Sequence, residues 1–215
     1  MTIGLVRSSK HLSAHVYDSL FRMIRERDLR AGDTIVESHV SEQLGVSRTP
    51  LREAMQRLEA DGMLQKGANR SFQVRQVGLK EYLQSLKVRE VLEAETVELA
   101  LERITPEQII AARVATRDVE NTNPYDKLAH WKADDLVHHL FIMNCGNHVM
   151  TRLLLSLRVT TQLFEIERLS DRLGPDSREH EMILDAIENK DVRAARKHVA
   201  NHIRSLFDFA VKTTV

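Results

Sequence analysis

Apolar residues recur at intervals of three and four along most of this chain, which is the spacing that places side chains on one face of an α-helix. In the first third of the sequence the pattern predicts three helices. The first covers residues 13–27 and the second covers residues 37–44, with Gly45 ending it. The third begins after Ser47, tolerates Pro50 in its first turn and stops at Gly62.

The pattern changes from helical to alternating after Gly62. The segments MLQK and SFQVRQV alternate apolar and polar residues on either side of GANR, so they predict two strands of a β-hairpin with Arg70 at its tip. A helix, a tight glycine turn, a second helix and a following hairpin are typical of a winged helix-turn-helix. Such a hairpin could place Arg70 against phosphate or in a minor groove.

The third predicted helix has one apolar and one polar face. Leu51, Ala54, Met55 and Leu58 lie within one arc, so they are expected to face inward. Arginine can bond guanine or phosphate and glutamine can bond adenine, so the opposite arc suits a DNA major groove. A solvated charged face is the alternative. The predicted DNA-contacting residues of this face are Arg48, Thr49, Arg52, Gln56 and Arg57.

The rest of the chain predicts an all-α bundle of about six helices. Thr105 followed by Pro106 is a strong helix start. Breaks are expected at residues 123–125, at LGPDS (173–177) and near Lys190. The predicted helices cover residues 79–103, 105–121, a segment ending near 145, 149–170, 178–189 and 191–211. The fold class is therefore mainly α, with one domain at 1–77 and a second at 78–215.

Composition adds modest constraints to this picture. The 215 residues carry no net charge, but residues 1–77 hold twelve basic and nine acidic side chains, and the remainder is acidic by three. A single cysteine, Cys145, excludes an intramolecular disulfide framework and suits a reducing compartment. No segment has the apolar character of a signal peptide or of a membrane span, so we expect a cytoplasmic protein without membrane contact.

The segment DDLVHHLFIMNCGNH, residues 134–148, carries candidate metal chemistry. Asp134 with His138, and Asp135 with His139, are two pairs spaced by four residues on one helix. His180 and His202 lie among apolar positions of later helices, so they could point inward. One carboxylate and three imidazoles suit Zn²⁺ or Ni²⁺. Scattered histidines that bind no metal are the alternative, and the residues alone do not choose between the two pairs.

Part of the first domain resembles a known family. The phrase VSRTPLREAMQRLEADG is similar to the recognition-helix region of GntR-type bacterial transcription regulators. The resemblance implies that Arg48, Arg52 and Arg57 meet phosphates or base edges of double-stranded DNA. Wings of that family usually carry glycine after the tip arginine, whereas Ser71 follows Arg70 here.

The second domain resembles the FCD effector domain of the FadR branch of these regulators. That resemblance aligns Gly146 and Asn147 with a family phrase, and it implies a metal held by Asp134, His138, His180 and His202. Asp135 and His139 then become bystanders. It also implies that Arg89 lines an effector pocket, with a helix-surface ion pair as the alternative.

Together these resemblances imply a ligand-responsive transcription regulator. We expect a homodimer on a near-palindromic operator, and a small carboxylate effector that completes the coordination of the metal. Two alternatives remain at this stage. One is a metal-dependent hydrolase or lyase with an accessory DNA-binding domain. The other is a purely structural metal that clamps three helices while the effector binds elsewhere.

Overall fold

The protein separates into two compact units, residues 1–77 and 78–215. The computed structural model describes residues 9–68, 71–164 and 168–214. Arg70, which we expect to contact DNA, lies outside these described residues. Each unit has a hydrophobic core of its own.

The first unit contains three helices, α1 (Ser9–Glu26), α2 (Glu37–Leu44) and α3 (Arg48–Ala60). Gly45 adopts a left-handed conformation with φ of 63° directly after α2, so the chain turns sharply into α3. Helices α1 and α3 pack through fully buried side chains, among them Leu20, Ile24, Leu51 and Leu58. The predicted helix-turn-helix is therefore confirmed.

A small antiparallel sheet completes this unit. Its strands are β1 (Thr34–Ile35), β2 (Leu64–Lys66) and β3 (Phe72–Val74), arranged in the order β1-β3-β2. Leu64 pairs with Val74, and Ile35 pairs with Phe72. The predicted hairpin is present, but β1 was not predicted, because two residues are too few to produce a visible alternation.

Among the described residues, the second unit contains six α-helices. These are α4 (Leu79–Ala100), α5 (Pro106–Glu120), α6 (Lys127–Asn144), α7 (His148–Leu163), α8 (Leu173–Glu188) and α9 (Val192–Thr214), with a short 3-10 helix, Leu169–Arg172, before α8. Thr105 caps α5 through a capping box with Gln108. Helix α4 packs most extensively on α9 and also contacts α6 and α7. The mainly α fold class is confirmed.

Two predicted boundaries in this unit are wrong. The segment LGPDS is the first turn of α8 rather than a break, because proline lacks only an amide hydrogen that has no helical acceptor in a first turn. Helix α7 ends at Leu163 rather than at residue 170, and Phe164 is extended. Within the described part of the chain, no helix is long and apolar enough to cross a membrane.

Candidate metal centre and nucleic-acid interface

Four predicted ligands from three helices meet in the interior of the second unit. Asp134 and His138 come from α6, His180 from α8 and His202 from α9, and their ligand atoms all lie within 4.8 Å of one another. The Oδ1 atom of Asp134 lies 3.4, 3.5 and 4.0 Å from the Nε2 atoms of His138, His180 and His202 respectively. The three imidazoles are buried.

The Nε2 atoms of these three histidines have no hydrogen-bond partner among the described residues. A buried polar atom without a partner costs roughly 1–3 kcal/mol, so three of them side by side would be expensive unless a further group satisfied them. Zn²⁺ and related ions bind imidazole nitrogens and carboxylate oxygens as ligands. This set of four ligand atoms therefore fits a divalent metal ion.

The other ring nitrogens of two ligands are held by carboxylates. His138 Nδ1 donates to Glu93 Oε2 on α4 at 2.5 Å, and His202 Nδ1 donates to Glu179 Oε2 on α8 at 2.8 Å. Each carboxylate accepts a hydrogen bond from the N–H group at Nδ1. The lone pair of the neutral ring therefore lies on Nε2. Both rings consequently present their Nε2 atoms to the same centre.

Three arginines neutralise the carboxylates around this centre. Arg158 Nη2 donates to Asp134 Oδ2 and to Asp135 Oδ1, each at 2.7 Å. Arg89 Nε donates to Glu93 Oε1 at 2.6 Å. Arg158 thus contacts the predicted metal ligand Asp134 directly, whereas Arg89 is joined to the predicted ligand His138 through Glu93. The third is Arg172, which donates to Glu179 at 2.9 Å and also to Asp176.

The charges joined by these bonds do not balance without a cation. Five carboxylates and three guanidinium groups belong to the cluster, so two negative charges are left when the imidazoles are neutral. A divalent ion would bring this buried cluster to neutrality, which is favourable because uncompensated charge in an apolar interior is costly. The carboxylates are Glu93, Asp134, Asp135, Asp176 and Glu179, and the guanidinium groups are Arg89, Arg158 and Arg172.

The pKa values follow from the same contacts. Burial opposes the charge of Asp134, but Arg158 and His138 outweigh it and hold the pKa of this carboxyl well below its usual range. Burial likewise opposes a charge on His138, yet Glu93 and Asp134 raise the pKa of His138. Burial, reinforced by the neighbouring His180 and His138, lowers the pKa of His202 to about 4 despite its bond to Glu179. Asp134 is therefore ionised and His202 is neutral at pH 7.

The geometry also separates the predicted bystanders, Asp135 and His139, from the four predicted metal ligands. Asp135 shares Arg158 with Asp134, but neither it nor His139 belongs to the converging set in the described part of the chain. Arg89 is only 1% exposed and forms its ion pair with Glu93 in the interior, so this pair does not lie on the helix surface. Reasoning from sequence missed Glu93 and Glu179. The four-residue spacing of Arg89 and Glu93 was the available signal for the first.

The predicted DNA-contacting residues of α3 stand on its exposed face. Leu51, Ala54, Met55 and Leu58 are buried beneath them, as the periodicity predicts. The exposed residues are Arg48, Thr49, Arg52, Gln56 and Arg57. The Nε atom of Arg52 donates to Glu37 Oε2 on α2 at 2.9 Å. The guanidinium of Arg57 lies over the ring of Tyr17 on α1, 4.3 Å from its centroid.

Comparisons with known proteins agree with both halves of this architecture. Residues 12–74 match the family described as bacterial regulatory proteins, gntR family, and residues 84–205 match the FCD domain. The chain is 26% identical over 193 residues to the HTH-type transcriptional regulator YdhC of Bacillus subtilis, covering 86% of this chain and 85% of that protein.

Two solved structures share the fold. McbR/YncC of E. coli superposes with a TM-score of 0.79 at 20% identity, covering 94% of this chain and 97% of that chain. The metal-free FCD domain of TM0439 superposes with a TM-score of 0.56 at 20% identity, covering 64% of this chain and 96% of that chain. The matched families and relatives are regulators of transcription, so nothing supports the hydrolase or lyase alternative. This chain belongs to the GntR family of transcription regulators with an FCD domain, and it is a ligand-responsive DNA-binding protein rather than an enzyme.

Proposed function

We propose that a divalent metal ion, held by Asp134, His138, His180 and His202, forms part of the effector site of this regulator. The three buried Nε2 atoms without a hydrogen-bond partner carry the proposal. Three imidazoles and one carboxylate are borderline ligands, so Zn²⁺ and Ni²⁺ are the expected ions. The bound ion would supply positive charge and coordination positions beyond the four protein ligands.

The effector that we propose is a small carboxylate metabolite. Its oxygens are hard, anionic donors suited to the remaining coordination positions of such an ion. Two buried donors near the cluster are also without a hydrogen-bond partner among the described residues: Arg89 Nη2, and the hydroxyl of Tyr82 about two turns earlier on α4. Arg89 is therefore proposed as an effector-binding residue, with its Nε atom fixed by Glu93 and its Nη2 atom free to bind an anion.

We propose that α3 reads the DNA. Arg48, Thr49, Arg52, Gln56 and Arg57 would contact an operator in its major groove, and Arg70 would contact it from the wing. A homodimer would place two such helices on the half-sites of a near-palindromic operator. Because the operator lies on the chromosome of a bacterial cell, the proposed location is the cytoplasm. Regulation requires that the effector bind the DNA-competent and DNA-incompetent arrangements unequally.

A thermal-shift screen of small carboxylates, run on metal-loaded and metal-stripped protein, tests this proposal. Metal content is assayed in the same samples. The His139→Ala variant, which removes a histidine outside the four proposed ligands, serves as the control and should behave like the unchanged protein. A carboxylate that raises the melting temperature of the metal-loaded protein alone supports a metal-assisted effector site. Equal stabilisation of both forms would instead assign the ion a structural role, with the effector bound elsewhere.

A further inference from the structure

An ion pair joins the two helices of the helix-turn-helix. Glu37, the first residue of α2, accepts a hydrogen bond from the Nε atom of Arg52 on α3 at 2.9 Å. The glutamate side chain is 26% exposed, whereas that of Arg52 is 60% exposed. The carboxylate of Glu37 is therefore the more buried partner of this ion pair, and the side chain of Arg52 extends past it towards solvent.

The atom that Glu37 engages decides which part of Arg52 remains available. A guanidinium can offer a fork of two N–H groups either from Nε and one Nη, or from its two terminal Nη atoms. With Nε bonded to Glu37, the terminal pair is the fork that remains. In the described part of this unit, Arg52 has no second acceptor, so that fork is available to bind the O6 and N7 atoms of a guanine.

Glu37 and Arg52 also line a cleft between α3 and the small sheet. This cleft has a volume of about 570 Å³, and its lining includes Gln56 of α3, Lys66 of β2 and Phe72 of β3. Lys66 lies over the ring of Phe72 and is also paired with Glu59 at 3.3 Å. Among the described residues that line this cleft, Glu37 is the one carboxylate, and its charge alone would repel DNA phosphates.

We propose that Glu37 is a positioning residue for sequence recognition: it fixes the guanidinium of Arg52 so that the terminal amino groups read a guanine. The proposal rests on the assignment of α3 as the DNA-reading helix. It gives Glu37 two effects of opposite sign. As a charge, Glu37 weakens binding to any DNA, and as a positioning group it strengthens binding to the preferred sequence alone.

The Glu37→Gln variant of the full-length protein separates these two effects. A preferred duplex is first selected from a random pool with the wild-type protein, and dissociation constants are then measured for this duplex and for a scrambled one. In Glu37→Gln the amide oxygen can still accept from Arg52 Nε, but without the strength of a charge-assisted bond. We therefore expect this variant to weaken binding to the selected duplex about tenfold, near the lower end of what one bidentate base contact contributes. Binding to the scrambled duplex is expected to stay equal or to become tighter.

Glu42→Gln is the matched control, because Glu42 is an exposed glutamate on the same helix. It removes the same charge and should leave the ratio between the dissociation constants of the two duplexes unchanged.

In an Arg52→Ala background, Glu37→Gln should have no further effect on that ratio, because the positioned group is absent. The pool selection repeated with Glu37→Gln should lose its preference at one guanine per half-site.

Failure of this proposal can be told apart from failure of the reading-helix assignment. If Glu37→Gln tightens binding to both duplexes alike while Arg52→Ala abolishes the preference, Glu37 is only a repelling charge and the positioning role is overturned. If Arg52→Ala leaves the preference intact, the assignment of Arg52 on α3 as a base contact is itself wrong.

Discussion

His138 of α6 and Glu93 of α4 face each other in the interior of the FCD domain, with Nδ1 and Oε2 2.5 Å apart. Glu93 also accepts a hydrogen bond from Arg89, so one carboxylate joins a proposed metal ligand to a proposed effector contact. The histidine that bonds Glu93 is His138 rather than its neighbour His139. The bond to Glu93 therefore distinguishes the pair Asp134–His138 from the pair Asp135–His139.

Replacing His138 by Ala should abolish metal retention, whereas replacing His139 should largely spare it. The loss should exceed roughly a hundredfold in affinity, since partners one bond further out already contribute about 10–100-fold. Metal content after dialysis against a weak chelator measures the effect. Retention by His138→Ala together with loss by His139→Ala would show that the other pair binds the metal.

Replacing Glu93 by Gln should weaken metal binding about tenfold without abolishing it. The amide oxygen can still accept from His138 Nδ1, but it carries no charge to polarise the ring. Glu95→Gln is the control, because Glu95 lies on the same helix as Glu93 but pairs with Arg196 of α9 on the surface. Competition with a chromophoric chelator gives both affinities, and equal values for the two variants would remove Glu93 from the site.

Metal binding should weaken as the pH falls. Only a neutral imidazole can bind the metal, so a histidine that is protonated must first lose that proton. Burial opposes a charge on His138, but Glu93 and Asp134 raise the pKa of His138, so it takes up a proton at a higher pH than an ordinary histidine does. We expect affinity to fall by about tenfold per pH unit for each displaced proton. Constant occupancy between about pH 7.5 and about pH 5 would contradict a three-histidine site.

Metal-free protein should lose stability in a different pH window because of His202. Burial and the adjacent imidazoles lower the pKa of His202 to about 4 from its usual 6.5, so between these values the unfolded chain binds a proton that the folded chain does not. The contribution of His202 to the free energy of unfolding is therefore complete above about pH 6.5. It falls as the pH drops towards 4, by up to roughly 3 kcal/mol. Urea unfolding of metal-stripped protein should show this slope, and His202→Gln should flatten it.

Arg57 and Arg48 should differ in what they contribute to folding. Arg57 packs over the ring of Tyr17, so Arg57→Ala should destabilise the packing of α1 on α3 by about 1 kcal/mol. Arg48, exposed at the start of α3, should change stability by less than about 0.5 kcal/mol. Hydrogen exchange of the α1 and α3 amides measures both variants. Equal exchange rates would show that the Arg57–Tyr17 contact adds nothing to stability.

Local structure was largely predictable because it depends on neighbours in the chain. The apolar spacing of Leu51, Ala54, Met55 and Leu58 predicted the buried face of α3, and Thr105 with Pro106 predicted the start of α5. Two of the errors also have local causes. Strand β1 is too short to alternate, and Pro175 is accommodated in the first turn of α8.

The sequence by itself determined most of the helices and their inward faces. It also determined that Asp134 and His138 lie on one face of α6, as Asp135 and His139 do, because residues four apart are neighbours on any helix. Only the tertiary structure decided that His180 and His202 reach the same point, since their convergence depends on how α6, α8 and α9 pack. It also decided that Glu93, Glu179 and Arg158 enclose the site. Their side chains meet the ligands across helix interfaces, where spacing along the chain carries no information about distance.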